Sequence, residues 1–183
     1  MHYGCAVRRV PVILLGLCLA ACSRGGSPGV GRELPATVTV RSPAFAEGAP
    51  IPARYTCAGA DVAPALAWSG VPRDAAELAL VVDDPDAPGG TYVHWVLFHL
   101  DPALTGLREG RLPPGARQAR NSGGKAAYAG PCPPSGPAHH YRFTLYALGT
   151  HLDLPDRAKL DQALPAIAKA ARAQGRLTGT FAR

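Results

Sequence analysis

Three polar clusters in the 183-residue chain carry residue types that can do chemistry. Asp83, Asp84 and Asp86 follow the apolar run ELALVV at 77–82, His94 lies inside YVHWVLFHL at 92–100, and His139, His140 and Tyr141 lead into YRFTLYAL at 141–148. Such groups permit three kinds of site. An aspartate with two histidines is a legitimate metal-ligand set, but no HxH or HExxH spacing occurs, and Pro85 stiffens the acidic turn. Asp, His and Ser make a hydrolytic triad. However, no GxSxG elbow is present, and Ser122 and Ser135 lack a strand–turn–helix context. The third is an anion pocket, in which imidazole N–H groups, a tyrosine hydroxyl and loop amides donate to phosphate or carboxylate oxygens while an aspartate orients a histidine. Plainer roles stand beside all three. Asp84 and Asp86 can cap a turn, and of two adjacent histidines on a strand one faces solvent.

The elements that must position these groups are mostly strands. Thr37–Val40 is a short β-rich run, and Leu66–Trp68 follows a loop rich in Pro, Gly and Asp. ELALVV is a continuous apolar run of strand length, ended by the turn signal DDPDAPGG. YVHWVLFHL is rich in aromatic and β-branched residues. In YRFTLYAL, Tyr141, Phe143, Leu145 and Ala147 share one face. Residues 101–136 are expected to form long loops. Helix is expected only over 156–174, where Leu160, Leu164, Ile167 and Ala171 form one apolar stripe and Pro165 predicts a kink or two short helices. Leu177–Phe181 is a candidate last strand. The pattern predicts a mainly β fold, an antiparallel core with a helix packed at one side.

Composition agrees with one turn-rich β domain. Apolar residues are 47% of the chain and charged residues 17%, which excludes wholesale disorder and a coiled coil. Gly 21 and Pro 19 are aperiodic, which excludes collagen. The net charge of +6 is scattered without a lysine-rich run, so no nucleic-acid partner is expected. No cofactor is implied.

The first 21 residues have the form of an export signal. Arg8 and Arg9 precede the apolar stretch Val10–Ala21, which is shorter than the roughly 20 residues of a spanning helix. It ends in Leu19-Ala20-Ala21-Cys22, which resembles the bacterial lipobox, in which the cysteine thiol is acylated and cleavage falls just before it. Residues 22–36 are then a lipidated flexible tether rich in Gly, Ser and Pro, and 37–183 the folded domain. The expected location is the bacterial cell envelope, lipid-anchored. In a Gram-negative cell, Ser23 after the lipidated cysteine points to the periplasmic face of the outer membrane. With Cys22 acylated, Cys57 and Cys132 remain as one pair in an oxidising compartment. They form a candidate disulfide that the chain-entropy account values at about 4 kcal/mol; two separate buried thiols are the alternative.

Several of these segments, in this order, resemble those of a known family. DPDAP at 84–88 followed by His94-Trp95, and GPCPP at 130–134 followed by His139-His140-Tyr141, resemble the phosphatidylethanolamine-binding protein family, and its bacterial Raf kinase inhibitor-like branch in particular. Tyr55-Thr56-Cys57, Pro64–Trp68 and Leu177–Phe181 extend the likeness from about Ser42 to the C-terminus. The resemblance implies a β-sandwich of antiparallel sheets with a C-terminal helical segment. It also implies a small cavity for phosphate-like headgroups, with Asp84, His94, His139 and Tyr141 as its polar residues and Pro88, Cys132 and Pro134 in its walls. One departure is visible, His140 where the family usually has arginine. A non-enzymatic lipoprotein that binds a small anionic ligand or phospholipid headgroup is the expected function. The alternatives are a regulator or inhibitor of an envelope protein such as a protease, and a hydrolase.

Overall fold

Residues 1–2 and 34–183 are described by the computed structural model. Residues 3–21 of the export signal, the lipidation position Cys22 and most of the proposed tether lie outside the described residues. Leu34 is buried, and the Pro35 carbonyl accepts a hydrogen bond from the Gln174 N–H, so the chain is already docked on the domain there.

The described residues form eight strands, one α-helix and a 3-10 turn at Ala53–Tyr55. The strands are β1 (Thr39–Arg41), β2 (Leu66–Ser69), β3 (Glu77–Asp84), β4 (Tyr92–Leu100), β5 (Gly106–Leu107), β6 (Arg117–Gln118), β7 (His139–Leu148) and β8 (Ala171–Phe181); α1 (Leu160–Ala170) precedes β8. They form two antiparallel sheets, a small one in the order β1-β2-β5 and a larger one in the order β6-β4-β3-β7-β8. The small sheet covers one face of the large sheet and α1 covers the other.

That layering explains the continuous apolar run in β3. Successive side chains point to opposite faces. Leu78, Leu80 and Val82 enter the core beneath the small sheet with Trp68, Trp95 and Phe143. Ala79 and Val81 enter a second core with Phe98, Tyr146 and Ile167 of α1. Burial of a side chain such as Leu80 contributes about 1.5–3 kcal/mol. Tyr141, Phe143, Leu145 and Ala147 share the first core, as their alternation predicts.

The helical expectation needs correction at both ends. α1 spans Leu160–Ala170 as one element that runs through Pro165, and Ala171 opens β8 rather than continuing the stripe. The Gln162 side chain accepts from the Lys159 N–H and steadies the helix start. The last strand is not confined to 177–181 but begins at Ala171. Its inward positions include Gly175 and Gly179, which carry no β signal. They are small because neighbours press on them. A Cβ on Gly175 would approach the Val38 carbonyl oxygen, and one on Gly179 would meet Ile51 and Phe45. Within the expected 101–136 loop region, β5 and β6 are two-residue edge strands.

Candidate functional site

β3 lies between β4 and β7 in the large sheet. Asp84 ends β3, His94 is the third residue of β4, and His139 opens β7. Antiparallel pairing sets Asp84 opposite Tyr92 and Asp83 opposite Arg142, so all three clusters gather at one end of the sheet. There they line a cavity of about 360 Å³ together with Ala87, Pro88, Cys132 and Pro134.

The polar groups are held by bonds within the protein itself. Asp84 is 3% exposed. Its Oδ1 accepts the Asp86 N–H at 2.8 Å, and its Oδ2 lies 2.8 Å from His139 Nδ1. His94 Nδ1 lies 2.8 Å from the Ala129 carbonyl oxygen, which can only accept, so Nδ1 carries the proton. Both imidazoles thus engage the protein through Nδ1 and keep Nε2 for the cavity they line. Burial pushes the His94 pKa below its ordinary value, against the opposing pull of the Ala129 carbonyl and of Asp84. At neutral pH the free His94 is therefore uncharged, and its Nε2 presents a lone pair.

A second loop closes the cavity. Cys57 and Cys132 form a disulfide, with their Cα atoms 5.4 Å apart. The Cys57 N–H donates to the Pro131 carbonyl, and the Tyr128 hydroxyl donates to the Tyr55 carbonyl. The Gly130 N–H donates to Asp61 Oδ1 at 2.6 Å. Gly130 has no room for a side chain, since a Cβ would lie 2.5 Å from both the Tyr55 oxygen and Asp61 Oδ1.

Six of the seven residues expected at the cavity line it: Asp84, Pro88, His94, Cys132, Pro134 and His139. Tyr141 does not. Its ring is fully buried behind His94, edge-on at a centroid distance of 5.3 Å, and its hydroxyl has no hydrogen-bond partner among the described residues. Burial and the nearby Asp84 push its ionisation far above the ordinary phenol value. Tyr141 thus packs against His94 from behind, with its hydroxyl beside Asp84 and the Cys132 backbone, both of which line the cavity. The adjacent histidines split as strand alternation requires, His139 buried and His140 exposed. His140 grips Asp86 through both its N–H and Nδ1, at 2.8 and 2.7 Å from Oδ2. Burial works against ionisation of Asp86, but these bonds outweigh it and hold its carboxyl below the usual range.

Sequence reasoning missed Tyr92 and Asp61, which also line the cavity. Tyr92 was within reach. It sits two residues before His94 on the same strand face, and the two rings lie 4.8 Å apart. Asp61 had no local signal, because it comes from an irregular loop. Ser122, weighed as a nucleophile, accepts the Val93 N–H and lines a different concavity. Ser135 is exposed in its loop. Among the described residues no group of three or more His, Cys, Asp or Glu side chains is placed to hold a metal ion.

Known proteins resemble this chain in sequence and fold. A Mycobacterium tuberculosis protein named "Putative lipoprotein LppC" is 47% identical over 196 residues, spanning 96% of this chain and 97% of its own. A UPF0098 protein of Methanothermobacter thermautotrophicus is 44% identical over 151 residues, 80% of this chain and 99% of its own. The crystal structure of Escherichia coli YbcL, described as a member of the mammalian PEBP family, superposes with a TM-score of 0.77 at 30% identity, covering 81% of this chain and 99% of that one. The family model described as Phosphatidylethanolamine-binding protein matches residues 41–182. With the two-sheet fold and these relatives in agreement, the chain belongs to the phosphatidylethanolamine-binding protein family.

Proposed function

We propose that the protein binds, without chemical turnover, a small molecule or headgroup that bears a phosphate or carboxylate. The observation that carries this reading is the pair of imidazoles, His94 and His139, each fixed through Nδ1 and each lining one cavity. An anion that accepts from Nε2 of His94 needs that nitrogen protonated, so binding takes up a proton or uses one the ligand brings. Asp84 carries the wrong charge to touch the anion and acts by orienting His139. The absence of turnover is supported by the lining itself. Both cavity cysteines are tied in the disulfide, and among the described residues no serine or threonine hydroxyl lies on the wall.

Calorimetric titration with inorganic phosphate tests the reading. A single saturable site is expected, with proton uptake visible as a dependence of the heat on buffer ionisation. No saturable binding would overturn it.

The lipoprotein name of the mycobacterial relative, which matches 96% of this chain, supports an envelope location with a membrane anchor at Cys22. No helix among the described residues is long and apolar enough to cross a membrane. Labelling with a fatty-acid analogue is expected to mark the wild type and not Cys22→Ser; equal labelling of both would refute the anchor.

A further inference from the structure

A larger concavity lies on the other face of the large sheet. Its volume is about 690 Å³, within the range of ligand sites. It runs between α1 and the β3–β4 turn, and its apolar walls are Val81 and Val93 of the sheet and Leu160 and Leu164 of the helix. The anion cavity plays no part in it.

The charges of this groove are arranged along its length. In the middle, Arg142 and Asp83 neutralise each other through two bonds of 2.7 and 2.6 Å. At the ends stand one cation and one anion. Arg176 belongs to β8, the outer strand on one side. Asp161 lies in the first turn of α1, and the chain just before that turn is hydrogen-bonded to the β6 edge: Arg157 N–H to the Gln118 carbonyl, and Arg120 N–H to the Ala158 carbonyl. The helix then crosses the sheet and passes into β8 at Ala171. Asp161 and Arg176 are thus at opposite ends of the groove, and both line it. Neither has an oppositely charged partner among the ion pairs of the described residues. Arg176 spends only Nε, on the Thr144 hydroxyl at 3.0 Å.

We infer that this groove binds a short extended peptide with free ends, its amine toward Asp161 and its carboxylate toward Arg176. The sheet residues that line the groove run from Val93 of β4 to Arg176 of β8, three inter-strand spacings, about 14 Å. An extended peptide rising about 3.3 Å per residue covers that distance with about four residues. Apolar side chains at its centre match the Val81, Val93, Leu160 and Leu164 walls. A fatty acid fits less well, because its tail would end on Asp161, and a simple anion would leave the apolar walls uncovered.

The test uses the peptide Ala-Leu-Leu-Ala, free, N-acetylated or C-amidated, titrated into the full protein at constant ionic strength. Each cap is expected to weaken binding about fivefold, the scale of a solvent-exposed ion pair. Asp161→Asn is expected to remove the effect of acetylation alone, and Arg176→Gln the effect of amidation alone. Both side chains are at the surface, and an unchanged thermal midpoint verifies that the variants fold. Saturating sulfate is expected to leave the peptide bound. Absence of saturable binding, equal binding of capped and free peptides, loss of this pairing between cap and variant, or displacement by sulfate would each overturn the inference.

Discussion

At one end of β3, Asp84 meets His94 and His139 at the edge of a cavity; at the other end, Glu77 is 1% exposed beside His99 and His151. The residue types are the same, an acid and two histidines. The difference lies in what the oxygens hold. Glu77 Oε1 accepts the His99 N–H at 2.8 Å and Oε2 accepts the Leu152 N–H at 3.1 Å, so both are taken by backbone. The first bond secures a bulge in β4, where His99 has a φ of 56° and the β3–β4 register shifts. Asp84 gives one oxygen to the backbone and the other to an imidazole that lines the cavity. A carboxyl group saturated by amides is a brace. One that positions a ring beside a cavity can serve recognition.

The contrast is open to direct attack. The largest effect is expected from reduction of Cys57–Cys132, which should cost about 4 kcal/mol in denaturant unfolding and weaken phosphate binding too, because Cys132 is cavity wall. Unchanged binding after reduction would show that the backbone bonds of the 128–132 loop hold the wall unaided. Next, Glu77→Ala should cost about 3 kcal/mol by stranding two backbone N–H groups, yet leave the phosphate affinity of the folded fraction unaltered. An altered affinity would couple the two ends and blur the distinction between brace and site.

The opposite pattern is expected at the cavity end. His94→Ala should weaken phosphate binding roughly tenfold to a hundredfold, with a smaller loss for Asp84→Asn, which keeps the shape but orients His139 less firmly. Calorimetry decides it; wild-type affinity in His94→Ala would remove the cavity assignment. The smallest effect is that of pH. The folded pKa of His94 lies below the unfolded value near 6.5, so this group's contribution to stability is complete above about pH 6.5 and is lost as pH falls through the folded value. Anion affinity has the opposite sign, since a bound anion favours the imidazolium. Sulfate, which does not titrate in this range, should bind more tightly at about pH 5.5 than at about pH 7.5. Affinity rising with pH would contradict the proton-linked reading.

Much of this was legible in the residues, for identifiable reasons. ELALVV announced β3 because a strand buried on both faces is apolar throughout, and the Asp-Pro-Asp turn marked where it stops. The motifs placed Asp84, His94 and His139 together because each stands at or near a strand end and the three strands are neighbours. β8 was largely hidden. Its inward residues Gly175 and Gly179 are small because Val38, Phe45 and Ile51 lie against them, and that crowding is tertiary, invisible to local propensity. Tyr141 stands just behind the cavity wall, for a related reason. Alternation states which face a side chain takes, but not how deep a cavity reaches toward it. Asp61 depends on a loop whose path is set by its bond to Gly130, a partner 69 positions away.

Asp83 and Asp84 are consecutive, yet one lines the groove beneath α1 and the other the cavity of His94 and His139. The strand's two-residue period is all that tells them apart. An inserted or deleted residue within β3 upstream of this pair would exchange their addresses. Arg142 would lose its carboxylate partner and His139 its orienter, though the composition of both sites would hardly change. β3 should therefore tolerate substitution far better than a shift in frame. Among diverging copies of this domain, length changes should collect in the loops around residues 101–136 and spare the run from Glu77 to Asp84.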